Sequence, residues 1–404
     1  MTSKGLIVVK FGGSILNGGP AIKRAAEAVK KEQERDRDVV VVVSALKGVT
    51  DRLLSTAEEI TLNTQPEVID HIISLGEEQS VRLMAAALRL VGVDPIEVTP
   101  SSPSWPIVTD DTFGNAEPLL EECISNAELG LGPLIRRGKV PVVCGFVGRS
   151  PQGQITTLGR GGSDTTAVIL ARCLGADELV LVKDVEGVYT ADPHRVEDAK
   201  LIETLEAREA HILASAGAKF IHSKVFRYKP NDLNIRIVSS SGGLNGNGTL
   251  ITGAVPRIKV ETYSKPVTEL TLVGDTLSNP EALARITLTF KEKGGRILSI
   301  FAIGTFTKLV ADLDPNSFLN LVHSQIENTS NLKALSVSEG HALITVWGTA
   351  LDSEEAVAKA VAQLSKAGVD AHSVLVGKSS ISLLTSWEKC DEVSRSIEKT
   401  LKEI

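Results

Sequence analysis

Short apolar runs that alternate with amphipathic stretches constrain this chain most. LIVVKF (Leu6 to Phe11), VVVVVSA (Val39 to Ala45), VPVVCGFVG (Val140 to Gly148) and ELVLVKDV (Glu178 to Val185) are rich in valine. Continuous apolar runs of this length suit strands buried on both faces, as in a parallel sheet. Between them, PAIKRAAEAVKKEQERD places Pro20 where a first helical turn tolerates it. GEEQSVRLMAAALRLVG also carries apolar residues at helical spacing. Strand and helix in alternation predict an α/β fold: an open, mostly parallel sheet flanked by helices. In such sheets a ligand binds beyond the carboxyl ends of the strands.

The pattern changes near residue 255. AVPRIKVETYSKPVTE carries two prolines and several charges and reads as a linker. Two sets of short elements follow. TELTLVG, NPEALARITLTFKEKGG, ILSIFAIG and FTKLVADLD form one; HALITVWG, SEEAVAKAVAQLSKAGV, AHSVLVG and SISLLTSW form the other, about 75 residues later. They share a strand-helix-strand-strand order and predict a duplicated α+β module. The expected division is 1–262, 263–330 and 331–404.

Composition excludes some classes. The 404 residues carry a formal net charge of -7, which disfavours a general nucleic-acid binder or an anionic-membrane binder. The four cysteines lie far apart without a Cys-x-x-Cys pair, and free thiols in a reducing compartment are expected. No run approaches the roughly 20 apolar residues that span a bilayer, and no signal peptide is recognised at the start. A cytoplasmic protein is expected. The scattered histidines show no metal-ligand spacing, so no protein-held metal is expected.

Four stretches that follow strands can carry chemistry. In VVKFGGSIL, Lys10 precedes Gly12 and Gly13, whose backbone N–H groups can approach an anion; a plain strand-turn reads the same way. In TTLGRGGSDTTA, a glycine turn opens a helix. Arg160 suits bidentate recognition of a carboxylate there, and Asp164, or Ser163 beside it, can serve as an N-cap. In VKDVEGVYTADPHRV, Lys183 and Asp184 end a buried strand. In VSALKGVTDRLL, Ser44 and Thr50 flank a turn, where hydroxyls can donate to a carboxylate. Together they describe a cleft for phosphates and a small carboxylate, as in a small-molecule kinase.

At these residues the chain resembles the amino acid kinase superfamily and, within it, the aspartate kinases. VKFGGS, VSALKGVTDRLL, SLGEEQSVRLMAAAL, VTDDTFGNAEP, TTLGRGGSDTTA, KDVEGVYTADP and GAKFIH occur in the family's order. The tandem modules resemble paired ACT domains. The resemblance implies ATP-dependent phosphorylation of the side-chain carboxylate of L-aspartate, with Mg²⁺ arriving on the nucleotide. Lys10 and Asp164 would be catalytic. Ser44, Thr50, Glu77, Arg160 and Asp164 would bind the substrate. Lys10, Gly12, Gly13, Ser14, Lys183, Asp184, Tyr189 and Lys219 would bind ATP. It also implies a homodimer or higher homo-oligomer through the ACT domains, and the repeats alone motivate an amino-acid effector, lysine or threonine, as a hypothesis. Some positions depart from the family pattern. Ser14 stands for a usual threonine, His194 precedes Arg195 where an arginine is usual, and FIHS replaces a His-Pro pair. Both modules lack the Gly-Met loop that often shapes an effector site.

Overall fold

The valine-rich runs form the middle of an eight-stranded sheet in a computed structural model that describes residues 4–60, 65–276, 280–314, 318–327 and 332–402. The chain divides into two units, Met1–Val255 and Pro256–Ile404. In chain order the first contains β1 (Gly5–Phe11), α1 (Gly19–Glu34), β2 (Arg37–Val43), α2 (Val49–Ile60), α3 (Pro66–Leu90), β3 (Pro95–Val98), α4 (Leu120–Asn126), α5 (Gly132–Arg136) and β4 (Val140–Cys144). The hairpin β5 (Val147–Arg149) and β6 (Ile155–Thr157) follows, then α6 (Gly162–Cys173) and β7 (Glu178–Lys183). A second hairpin, β8 (Val188–Tyr189) and β9 (Leu201–Ile202), leads to β10 (Thr204–Glu206), α7 (Ala207–Ser215), β11 (Asn234–Ser239) and β12 (Gly248–Thr252).

The sheet order is β10-β12-β11-β7-β1-β2-β4-β3. The six strands from β11 to β3 run parallel, and β12 turns back antiparallel to β11. Val8, Val9, Val39 to Val43, Val180 and Leu181 are all buried, as a sheet covered on both faces requires. Register then places the functional ends together. Phe11 lies opposite both Val43 and Val182, so the chain leaves β1, β2 and β7 at one edge of the sheet.

Three sequence expectations need correction here. The helix expected to begin at Gly76 begins at Pro66 instead. Gly76 is interior because the helix passes close to the chain after β2: a Cβ there would stand 3.1 Å from Val49 Cγ1 and 3.2 Å from Ala45 Cβ. The apolar run expected to continue from Val140 to Gly148 is broken at Phe146, which has φ 68°. Its N–H donates to Thr166 Oγ1 at 3.0 Å and its carbonyl accepts from Leu158 N at 2.8 Å, so α6 and the next hairpin hold the turn. The stretch read as a linker contributes a strand to the second unit.

That strand is β13 (Lys259–Thr262). It is followed by β14 (Val267–Gly274), α8 (Pro280–Glu292), β15 (Arg296–Ile303), β16 (Phe306–Asp312), α9 (Leu319–Glu327), β17 (Leu332–Trp347), α10 (Glu354–Lys366), β18 (Ser373–Val376), β19 (Ser380–Ser386) and α11 (Cys390–Leu401). The 16-residue β17 serves two modules. Its first half pairs with β14, and its second half pairs with β13 and β19. One module is therefore β15-β16-β14-β17 and the other β18-β19-β17-β13, the same order twice. Each has its own core, one around Ile286, Phe290 and Phe318, the other around Ile344, Leu383 and Ile397. The first module is inserted between β13 and the rest of the second. A cut at residue 330 would separate β17 from the module its first half completes. Among the described residues no helix is long and apolar enough to cross a membrane.

Candidate active site

The edge where β1, β2 and β7 end carries a buried group of charges. β1 delivers Lys10 just before the chain turns at Gly12 and Gly13. The turn is tight, with Ile15 N and Leu16 N both donating to Gly12 O, at 3.0 and 3.1 Å. A Cβ on Gly13 would stand 2.5 Å from the Ala45 carbonyl oxygen, so this turn lies directly on the chain leaving β2. On the other side, α6 starts from Gly161 in the left-handed conformation, φ 72°. Neither Ser163 nor Asp164 caps the helix. Asp164 lies in its first turn, with its side chain directed to the lysines.

Asp164 Oδ1 meets Lys10 Nζ at 2.8 Å, and its Oδ2 meets Lys183 Nζ at 2.6 Å. The Lys10 and Asp164 side chains are each 7% exposed and that of Lys183 is 16% exposed. Burial pushes the Asp164 carboxyl up, but Lys10 and then Lys183 outweigh it and hold it well below the ordinary carboxylate range. Burial lowers the Lys183 ammonium, opposed by Asp164, with the Lys10 charge lowering it further. Two cations on one anion leave an excess positive charge in a low-dielectric place, where it acts strongly on an incoming anion.

Glu77, on α3, completes the group. Burial pushes its carboxyl up to about 8, opposed by the Ala45 N–H it accepts and by the Lys10 charge. Its Oε2 is buried without a hydrogen-bond partner. A buried acceptor left open is costly, and the Lys10 charge acts on this carboxyl.

The profile of the amino acid kinase family matches residues 5–239. The chain belongs to the amino acid kinase family. The aspartate kinase of Pseudomonas putida is 41% identical over 250 residues, which covers 61% of this chain and 58% of that protein. The chain thus spans little more than half the length of that curated relative in the match. The crystal structure of aspartate kinase from Synechocystis has a TM-score of 0.75 at 23% identity, covering 98% of this chain and 69% of that one; at that identity the likeness speaks for the fold. E. coli aspartokinase III, solved in complex with aspartate and ADP, has a TM-score of 0.55 at 26% identity, covering 98% and 99% of the two chains.

Within this family fold, the structure draws together Lys10, Gly12, Gly13, Glu77, Asp164 and Lys183. Lys183 was expected on the nucleotide side and is found on the same carboxylate as Lys10. Ser44 and Thr50 are half-buried, at the end of β2 and in the first turn of α2. Arg160, Ser14, Asp184 and Lys219 present exposed side chains. Tyr189 donates its hydroxyl to Glu186 Oε2 at 3.1 Å. His194 and Arg195 are exposed, and Arg195 lies 3.9 Å from Asp192. Among the described residues, no three or more His, Cys, Asp or Glu side chains converge as a metal site.

Asp70 and Lys224 are buried charges that sequence reasoning missed. Asp70 accepts from Gly114 N at 2.8 Å, Thr157 N at 2.9 Å and Thr157 Oγ1 at 2.8 Å, tying α3 to the chain at Gly114 and to the end of β6. It lies seven residues before Glu77 on the same helix, so helical periodicity would have found it had α3 been traced back to Pro66. Lys224 directly follows the FIHS stretch, where the chain departs from the family pattern.

Proposed function

We propose that this chain is an aspartate kinase, transferring the γ-phosphoryl group of ATP to the side-chain carboxylate of L-aspartate to give 4-phospho-L-aspartate and ADP. The observation that carries this is the buried Lys10–Asp164–Lys183 group beside Glu77, where β1 and β7 end. The relatives' names support the choice of substrate. An aspartate side chain is already ionised at neutral pH, so the transfer needs no strong general base. One carboxylate oxygen attacks the γ-phosphorus as the bond to the ADP oxygen breaks. The protein's share is alignment and charge stabilisation.

Lys10 and the N–H groups of Gly12 and Gly13 would steady the transferring group, with Asp164 fixing the lysine ammonium. Glu77 would take the α-ammonium of the substrate with its open oxygen, and that cation would return the carboxyl to its ionised form. Arg160 would hold the α-carboxylate, with the Ser44 and Thr50 hydroxyls assisting. Ser14, Lys183, Asp184, Tyr189 and Lys219 would serve the nucleotide. Mg²⁺ would come bound to phosphate oxygens, as it commonly does in kinase sites, and would offset their charge during transfer. The product would feed lysine, threonine and methionine synthesis.

ADP release from MgATP by the purified protein tests this reading, with L-aspartate, D-aspartate, L-glutamate or no amino acid. The expected result is release that depends on L-aspartate. Equal release with L-glutamate, or none with any of them, would remove the substrate assignment. The paired modules would join copies of the chain and take an amino-acid effector, lysine or threonine. An activity curve flat in both amino acids, singly and together, would remove that part alone.

A further inference from the structure

Three segments around the substrate side of the site meet at one buried ammonium. Lys224 lies in the short 3-10 turn Ser223–Arg227 and is only 6% exposed. Its Nζ donates to Leu158 O at 3.2 Å, to Asn115 Oδ1 at 3.2 Å and to Ala116 O at 3.4 Å. It also pairs with Glu117 Oε1 at 3.3 Å. Burial lowers this ammonium, opposed by Glu117. An ammonium has three protons and no acceptor, so these four oxygens use its full donor capacity.

The acceptors are specific in place. Leu158 immediately precedes Gly159, Arg160 and Gly161. The Asn115 carboxamide oxygen lies so close to Gly159 that a Cβ there would stand 2.5 Å from it. His222, whose Nδ1 accepts from Lys224 N at 3.2 Å, lies against Gly161, where any Cβ would run into it. One segment thus holds the turn at Leu158 and at Gly161. Asp70 holds the preceding strand through Thr157. The Arg160 side chain is exposed, so the backbone of the turn sets where it can reach.

We propose that Lys224 is a positioning residue for substrate recognition: its buried ammonium fixes the Leu158–Gly161 turn and so the point from which Arg160 reaches the substrate. The role of Arg160 in this statement rests on the proposed aspartate kinase activity; the fixing of the turn does not. Lys224→Met keeps the apolar stem and removes the donors.

Two readouts separate the cases. Amide hydrogen exchange over residues 156–162, with the rate of tryptic cleavage after Arg160, reports the turn itself. KM for L-aspartate, set against calorimetric affinity for ADP, reports its use. Lys224→Met should speed exchange and cleavage, and raise KM for aspartate at least about tenfold, short of the roughly hundredfold that a displacement of about 1 Å can cost. ADP affinity should stay within about twofold, well inside the tenfold that 1.4 kcal/mol represents. Unchanged exchange, or ADP affinity that falls in step with aspartate affinity, would overturn the proposal. Should Lys224→Met not fold, Asn115→Ala removes one acceptor from the cage and is read in the same way, with the same overturning results. If the wild type shows no aspartate-dependent turnover, the activity reading alone fails, and exchange and cleavage still decide whether Lys224 fixes the turn.

Discussion

Replacing Glu77 by glutamine should stabilise the first unit, and by an amount that depends on pH. The carboxyl is pushed from an ordinary 4.5 to about 8 because it is buried, against the opposing effects of the Ala45 N–H and Lys10. Between those values the native state holds a proton that the unfolded chain has released. The native state then binds more protons, so stability falls as pH rises through this window. Each pH unit is worth about 1.4 kcal/mol, so at pH 7.5, roughly three units above the ordinary value, the cost is about 4 kcal/mol. Glutamine keeps the volume and an acceptor for Ala45 N but does not titrate. Urea unfolding of the first unit at pH 5, 6, 7 and 8 measures the difference between variant and wild type. It should grow by about 1.4 kcal/mol per pH unit and nearly vanish toward pH 4.5. A difference that does not vary with pH would refute the reasoning. Its companion is a loss of aspartate affinity, since a neutral amide attracts an ammonium less than a carboxylate does.

Asp164→Asn would leave Lys10 and Lys183 facing each other without their shared counter-charge. Breaking a buried pair of this kind costs about 3–5 kcal/mol, which thermal unfolding would register, and turnover should fall about a hundredfold or more. In the wild type the same pair predicts acid sensitivity. The Asp164 carboxyl is held below its ordinary range, so its contribution is present above about pH 4 and is lost as pH falls toward the depressed value. Arg160→Ala should do the reverse of Asp164→Asn in kind. Its side chain is exposed, so the melting temperature should not move, while KM for aspartate should rise by about tenfold or more, the scale of one lost charged hydrogen bond of about 1.5–3 kcal/mol.

The sheet was legible because burial on both faces leaves a plain mark. The valine runs at 39–43 and 178–183 are strands close to where the sequence puts them. What escaped depends on distant contacts. Gly76 looks like a helix boundary, yet it is the place where α3 comes close to Ala45 and Val49. Phe146 interrupts an apolar run because Thr166 and Leu158, both far along the chain, hold its turn. Lys259 to Thr262 has charges and neighbouring prolines like a linker, but it pairs with Trp347 to Ile344 across more than eighty residues. The site was legible as a set of residue types after strands. Its wiring was not: a sequence does not say that Lys183 shares Asp164 with Lys10, or that Lys224 closes a cage around Leu158 and Asn115.

Trapping the product tests the central claim most directly. The protein is incubated with MgATP, L-aspartate and hydroxylamine, and the hydroxamate is identified by mass and by the position of its acyl group. An acyl phosphate on the side chain of aspartate gives the β-hydroxamate in step with ADP, and its formation should collapse in Asp164→Asn. ADP without hydroxamate, or a hydroxamate at the α-carboxyl, would contradict the account of which carboxylate the site presents to the γ-phosphate.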